Sequence, residues 1–176
     1  YEMAHHWDFE HEDSLGPIID IEELVAEYGN SPITASDGGT KVSARYGVPN
    51  VQKSVDTDTF LEIIAWYITE GSLYKAKTRN YRIKIAQEDD ENRAQIASLV
   101  DQIVDYYYEN ERSVNFSSRI WFELLEGLCG GRSANKRIPE IVFRASEAQK
   151  RRFLDLLIEG DGYRQHNSWR YSTTSR

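Results

Sequence analysis

Glu70 and Asp161 sit where a helix would not ordinarily carry them. Leu61-Glu62-Ile63-Ile64-Ala65-Trp66-Tyr67-Ile68-Thr69-Glu70-Gly71 and Phe153-Leu154-Asp155-Leu156-Leu157-Ile158-Glu159-Gly160-Asp161-Gly162 each read as an apolar helix ending in a carboxylate and a glycine. The C-terminal end of a helix carries partial negative charge, so a carboxylate there costs about 0.3–1 kcal/mol where a lysine would stabilise. One such placement means little. The same placement twice points to two carboxylates held together around something cationic. The plain alternatives are an exposed helix-end carboxylate for Glu70 and an ordinary Gly-Asp-Gly turn for Asp161. Glu159 lies two positions earlier, off the end that would face the other acid, so Asp161 is the preferred member of the pair.

The elements that must hold these residues can be read around them. Thr57 or Asp58 is a candidate cap for a first helix whose core face is Phe60, Ile63, Ile64, Tyr67 and Ile68. After Gly71 the pattern predicts a hairpin, with strands near 72–77 and 81–87 joined through Thr78-Arg79-Asn80. A helix from about Glu91 to Tyr107 follows, with Ile96, Leu99, Val100 and Ile103 on one stripe. Then come a short strand at Ser113-Val114-Asn115-Phe116 and a helix from about Ser118 to Leu128, closed by Gly130-Gly131. Ile138 to Phe143 reads as one helical turn. Ser146, with Gln149 at the capping-box position, opens the second motif helix. The order is helix, hairpin, helix, strand, helix, and then it begins again after about 90 residues. The second unit is expected to be incomplete.

Residues 1–56 read as a leading acidic linker or flanking domain, 57–145 as a first unit, and 146–176 as the beginning of a second. Within the leading part, Ile18 to Tyr28 has helical apolar spacing and stops at Gly29-Asn30, and Lys41 to Tyr46 is a candidate strand.

The formal net charge of −8 at first argues against a nucleic-acid partner. Its distribution leaves such a partner possible, although a salt-adapted host would also give an acidic surface. Residues 1–60 hold 12 acidic and 3 basic side chains, whereas residues 61–176 hold 17 acidic and 18 basic, a net of +1. The motif-bearing part is near neutral with local basic clusters. A hydrophobic content of 40% and an aromatic content of 12% are those of a folded chain. No apolar run reaches the 18 or so residues that cross a bilayer, so no membrane partner and an intracellular, cytoplasmic location are expected. Cys129 is the single cysteine, which excludes an internal disulfide.

The two motifs, taken with their surroundings, resemble the LAGLIDADG homing endonucleases of the two-motif, intein-embedded type. Tyr81-Arg82-Ile83-Lys84-Ile85-Ala86-Gln87 is similar to the strand after the first motif. Asn135-Lys136-Arg137-Ile138-Pro139-Glu140 is similar to the Lys-x-Ile-Pro segment before the second, and Tyr171-Ser172-Thr173-Thr174-Ser175 to the strand after it. The resemblance covers about residues 57 to 176. It implies an α+β fold built on an αββαββα unit, with two motif helices side by side on a pseudo-twofold axis and saddle-shaped sheets facing DNA. It implies a site-specific double-strand DNA endonuclease, a monomeric pseudo-dimer in full-length form, with a host protein (the extein) as partner.

Carried over residue by residue, Glu70 and Asp161 become the metal-binding catalytic pair for Mg2+ or another divalent cation. Such ions supply a nucleophilic water and stabilise the leaving oxygen. Lys136 takes the place of a basic residue near the scissile phosphate. Gln87 matches a polar residue that could hold a metal-bound water; Glu88 follows it, where some relatives have lysine. Ala65, Thr69 and Gly160 supply small residues for a close crossing, which Leu156 would widen. Lys75, Lys77, Arg79, Arg82 and Lys84, interleaved with Tyr74 and Tyr81, form a basic hairpin, and Arg164, Gln165, Asn167 and Arg170 begin its counterpart.

Rival readings are a non-cleaving DNA- or RNA-binding module or intron maturase of the same fold, and a helical interaction protein. His166-Asn167-Ser168 mimics the end of an intein but falls where a hairpin is due. His5-His6 with Asp8, Glu10, His11 and Glu12 reads as acidic surface more readily than as a metal site.

Overall fold

A computed structural model describes residues 14–28, 54–75, 81–165 and 168–171. The Gly29-Asn30 stop, the Lys41–Tyr46 strand, the Thr78–Asn80 turn and both histidine clusters lie outside these residues. Strand β1 (Ile18–Asp20) leads directly into α1 (Ile21–Tyr28) and pairs antiparallel with β2 (Ser54–Asp56). The sequence assigned this whole stretch to one helix. Its first three residues instead alternate exposed, buried, exposed, as a strand requires.

From β2 the chain enters α2 (Thr57–Glu70), whose N-terminal cap is Asp56, with its carboxylate accepting from the amides of Asp58 and Thr59. Thr57 is not the cap; it is buried, and its hydroxyl donates to Gly16 O at 2.5 Å. Asp58 lies in the first turn and caps nothing here. All five expected core residues of this helix are buried, and so are Leu61, Ala65 and Trp66. A helix buried on every side is the centre of its domain.

Strands β3 (Gly71–Lys75) and β4 (Tyr81–Ala86) follow, then α3 (Asp90–Asp101), β5 (Tyr107–Asn110), β6 (Ser113–Ser117) and α4 (Arg119–Cys129). The element order from α2 to α4 is αββαββα. The fold is α+β. The four strands form one antiparallel sheet in the order β3-β4-β6-β5. Helix α3 is shorter than its sequence suggests: it ends at Asp101, and Tyr107, expected to be its last residue, opens β5. Ser118 caps α4, and Gly130, at φ 86°, ends it. A 3-10 turn spans Glu140–Arg144.

Helix α5 (Glu147–Asp161) begins at a reciprocal capping box, Ser146 N–H to Gln149 Oε1 at 2.9 Å and Gln149 N–H to Ser146 Oγ at 3.3 Å. It leads into a hairpin of β7 (Gly162–Gln165) and β8 (Ser168–Tyr171). One face of the four-stranded sheet, carrying Ile83, Ile85, Val114 and Phe116, is buried in a core shared with α2, α3 and α4. Ile19, Ile21, Leu24, Val25 and Val55 belong to the same core, so the described parts of the leading segment pack on the unit.

Candidate functional site

Helices α2 and α5 run parallel with no stagger. Gln149 donates to Asp58 Oδ1 at 2.7 Å, and Arg152 grips both carboxylate oxygens of Glu62 at 3.2 and 3.3 Å. At the far end Gly160 lies on Thr69: a Cβ at Gly160 would come within 2.6 Å of Thr69 Cβ. These partners are separated by 90 or 91 positions, which is the repeat length. Each residue of the first motif therefore stands level with its counterpart in the second. Leu156 is level with Ala65, and both are fully buried, so a bulky and a small residue share that layer. The bulk of Leu156 thus falls level with a small residue.

This register sets Glu70 and Asp161 at the same end of the pair. Glu70 is half-buried and Asp161 more exposed. Burial, and then the Asp161 charge, push the Glu70 carboxyl above its ordinary range, while Lys136 pulls it back. The Asp161 carboxyl is raised by burial and likewise lowered by Lys136. Burial depresses the Lys136 ammonium, against the opposing pull of Asp161, Cys129 and Glu70. The three groups form one electrostatic cluster.

Lys136 also resolves the oddity of a carboxylate at a helix end. Helix α2 has no basic residue in its last turn. Instead Lys136 reaches in from a distant loop, its Nζ donating to Tyr67 O at 2.7 Å and Gly71 O at 2.6 Å. It satisfies late helix carbonyls and sets a positive charge at the negative end of the dipole. The side chain is 8% exposed, so it is a built part of the core and not a solvated loop lysine. The glycine after each acid has a steric cause at Gly71. Its backbone is extended at φ −78° and needs no left-handed freedom; a Cβ there would lie 2.7 Å from Tyr67 Cα.

Gln87 is half-buried just past β4, and its side-chain oxygen accepts from the Asp89 amide at 3.0 Å, inside the turn before α3. The exposed face of the sheet carries Ser72 and Tyr74 from β3, Arg82 and Lys84 from β4, and Tyr108 and Asn115 from β5 and β6. The register puts Tyr74 beside Arg82, and Ser72, Lys84, Asn115 and Tyr108 in one row. Lys75 does not share it. It pairs with Tyr81, on the alternate face, and its ammonium sits 5.0 Å from that ring's centre. Lys77 and Arg79 lie outside the described residues. Arg164 and Arg170 fall in β7 and β8, opposite Trp169 and Tyr163.

Tyr108 and Asn115 were not singled out by sequence: the helix read from Glu91 to Tyr107 hid the start of β5, and Asn115 read only as part of a short strand. Tyr67 was read only as core. It is fully buried, yet its hydroxyl donates to Gly130 O at 2.7 Å and its ring carries Lys136 Nζ at 4.9 Å.

No family model matches the chain. It is similar to a DNA polymerase of Thermococcus sp., 28% identical over 111 residues, 60% of this chain and 6% of the polymerase. It is similar to the DNA polymerase of Thermococcus kodakarensis, 29% identical over 111 residues with the same coverage. An uncharacterized protein of Methanocaldococcus jannaschii is 27% identical over 159 residues, 82% of this chain and 17% of that protein. The chain thus spans a small fraction of the length of each relative.

Proposed function

We propose that this chain is part of a LAGLIDADG homing endonuclease, embedded in an intein, that hydrolyses phosphodiesters at a specific double-stranded DNA site. The observation that carries the reading is the unstaggered helix pair that sets Glu70 and Asp161 at one end beside a buried lysine. The donor set suits a hard divalent cation: two carboxylates, both disfavoured as anions by burial, with Glu70 raised further by Asp161. A bound Mg2+ would supply charge neutralisation and a water activated for in-line attack. The chain's own residues do the rest. Glu70 and Asp161 hold the ion, Lys136 balances their charge, and Arg82 and Lys84 take phosphate on the exposed sheet face.

Similarity to 6% of the length of DNA polymerases suits a segment carried inside a larger host protein, as an intein is. That host is the proposed extein partner.

Selection from a randomised plasmid library in Mg2+ should yield DNA linearised at one sequence. Glu70→Gln and Asp161→Asn should each abolish that cleavage while retaining DNA binding in a gel-shift assay. Undiminished cutting by either variant of the full-length protein refutes the assignment, and binding without any cutting by the unaltered full-length protein supports the non-cleaving module instead.

A further inference from the structure

We infer that Tyr67 is a positioning residue for the carboxylate site, acting through Lys136, an inference that rests on the metal-pair reading of Glu70 and Asp161. Four contacts converge on Tyr67, which lies three residues, about one turn, before Glu70. Its carbonyl accepts the Gly71 N–H that ends the helix and also the Lys136 ammonium at 2.7 Å. Its ring lies under the same ammonium, with Nζ 4.9 Å from the centre. Its hydroxyl donates to Gly130 O at 2.7 Å.

That last bond closes a ring of contacts. Gly130 starts the loop that delivers Lys136, and it turns at φ 86°, where a Cβ would lie 2.9 Å from the Asn135 carbonyl carbon. Arg137 N–H returns to Cys129 O at 2.9 Å, so the loop is pinned at both ends around Lys136. The hydroxyl fixes the start of the loop, the loop fixes the lysine, and the lysine fixes the carbonyls at the end of α2. Glu70 lies between the two carbonyls that Lys136 holds, those of Tyr67 and Gly71. Burial raises the Tyr67 phenol further above its ordinary range, so it remains a donor throughout the working pH range.

Removing a hydroxyl while keeping the ring and the carbonyl isolates the anchor from the packing. Tyr67→Phe takes away one neutral hydrogen bond and frees the loop to carry Lys136 out of place. Gly130→Ala strains the same loop at the residue that accepts this hydroxyl, without altering any residue of α2.

The experiment has two readouts on the chain, unaltered and in both variants. The first detects the Lys136 ammonium by nitrogen-15 NMR with lysine-selective labelling. The unaltered chain should show one slowly exchanging ammonium, assigned by its loss in Lys136→Met. Tyr67→Phe and Gly130→Ala should broaden or erase it. The second is titration with Mn2+ alone, followed by calorimetry. Tyr67→Phe should weaken binding about fivefold, the size expected for one neutral hydrogen bond, and Glu70→Gln should remove it. If Mn2+ binds with the expected loss in Glu70→Gln, while Tyr67→Phe changes neither readout, the positioning role is overturned and the metal pair stands. If the unaltered chain binds no Mn2+, the metal pair falls and with it the site that Tyr67 would position. The ammonium signal then shows only whether the clamp exists as packing. A lower melting temperature with both readouts unchanged also overturns the positioning role.

Discussion

Gly160 of α5 rests on the side chain of Thr69 of α2, and this contact lies one position before the two acids at the ends of those helices. The fit leaves no room for a Cβ at Gly160, whose nearest neighbours would all be atoms of the Thr69 side chain. The Thr69 hydroxyl donates back to Ala65 O at 3.3 Å and Trp66 O at 3.2 Å, which holds the hydroxyl and Cβ of this side chain against the partner helix.

Gly160→Ala tests that closeness. Alanine gains helix propensity of up to about 1 kcal/mol, though less so near close packing at a helix end. Against this stands a Cβ that would sit 2.6 Å from Thr69 Cβ, and overpacking of this kind typically costs about 1–3 kcal/mol. The clash should win. In a Thr69→Gly background the same substitution should be neutral or stabilising. Urea unfolding of the four proteins should give a coupling of about 1–3 kcal/mol; additive effects would mean the helices cross farther apart.

Both site carboxyls are raised in the folded chain, and the sign of the consequence follows. A carboxyl with a raised folded pKa contributes stability that is full below its unfolded value and is lost as pH rises through the folded one. The ordinary values are 4.5 for Glu70 and 3.8 for Asp161, so at neutral pH both sites carry that loss. Glu70→Gln and Asp161→Asn should therefore raise the melting temperature at pH 7 by a few degrees at most, with the gain shrinking toward pH 4. Thermal scans across that range check it, and a variant less stable than the parent at pH 7 would contradict it. Such a gain is the usual mark of a site kept for function at some expense of stability.

How much of this could be read from sequence differs by element. The core face of α2 was legible because helical periodicity and apolarity agreed over three turns, and the Ser146–Gln149 box because its chemistry is local. Strand β5 was not. Three consecutive tyrosines after an amphipathic helix carry no period, and only pairing with β6 puts Tyr107 and Tyr108 in a strand. Asp56 lost its place as cap to its neighbours for a similar reason, since Thr57 is an equally good cap until Gly16 claims its hydroxyl. The acids were legible as a repeat, but Lys136 as the cap of α2 was not. It sits 66 positions from Glu70, and no local rule links a loop lysine to a helix end so distant. Lys75 shows the same limit, because the face a strand-end residue occupies depends on register, which composition does not reveal.

That register makes a prediction about binding. Arg82 and Lys84 stand on the exposed face beside Tyr74 and Asn115, whereas Lys75 lies on the alternate face over Tyr81. If the exposed face takes double-stranded DNA, each phosphate neutralised contributes a slope of about −0.9 to the dependence of log affinity on log salt. Arg82→Ala and Lys84→Ala should each flatten that slope by nearly one unit and weaken binding at low salt. Lys75→Ala should change it much less, since its ammonium is directed to a ring on the side that faces the core. Fluorescence anisotropy with a duplex over a range of salt concentrations separates the cases. Equal losses for all three cations would mean that DNA is bound by diffuse charge around the hairpin, and the exposed sheet face would lose its claim as the docking surface.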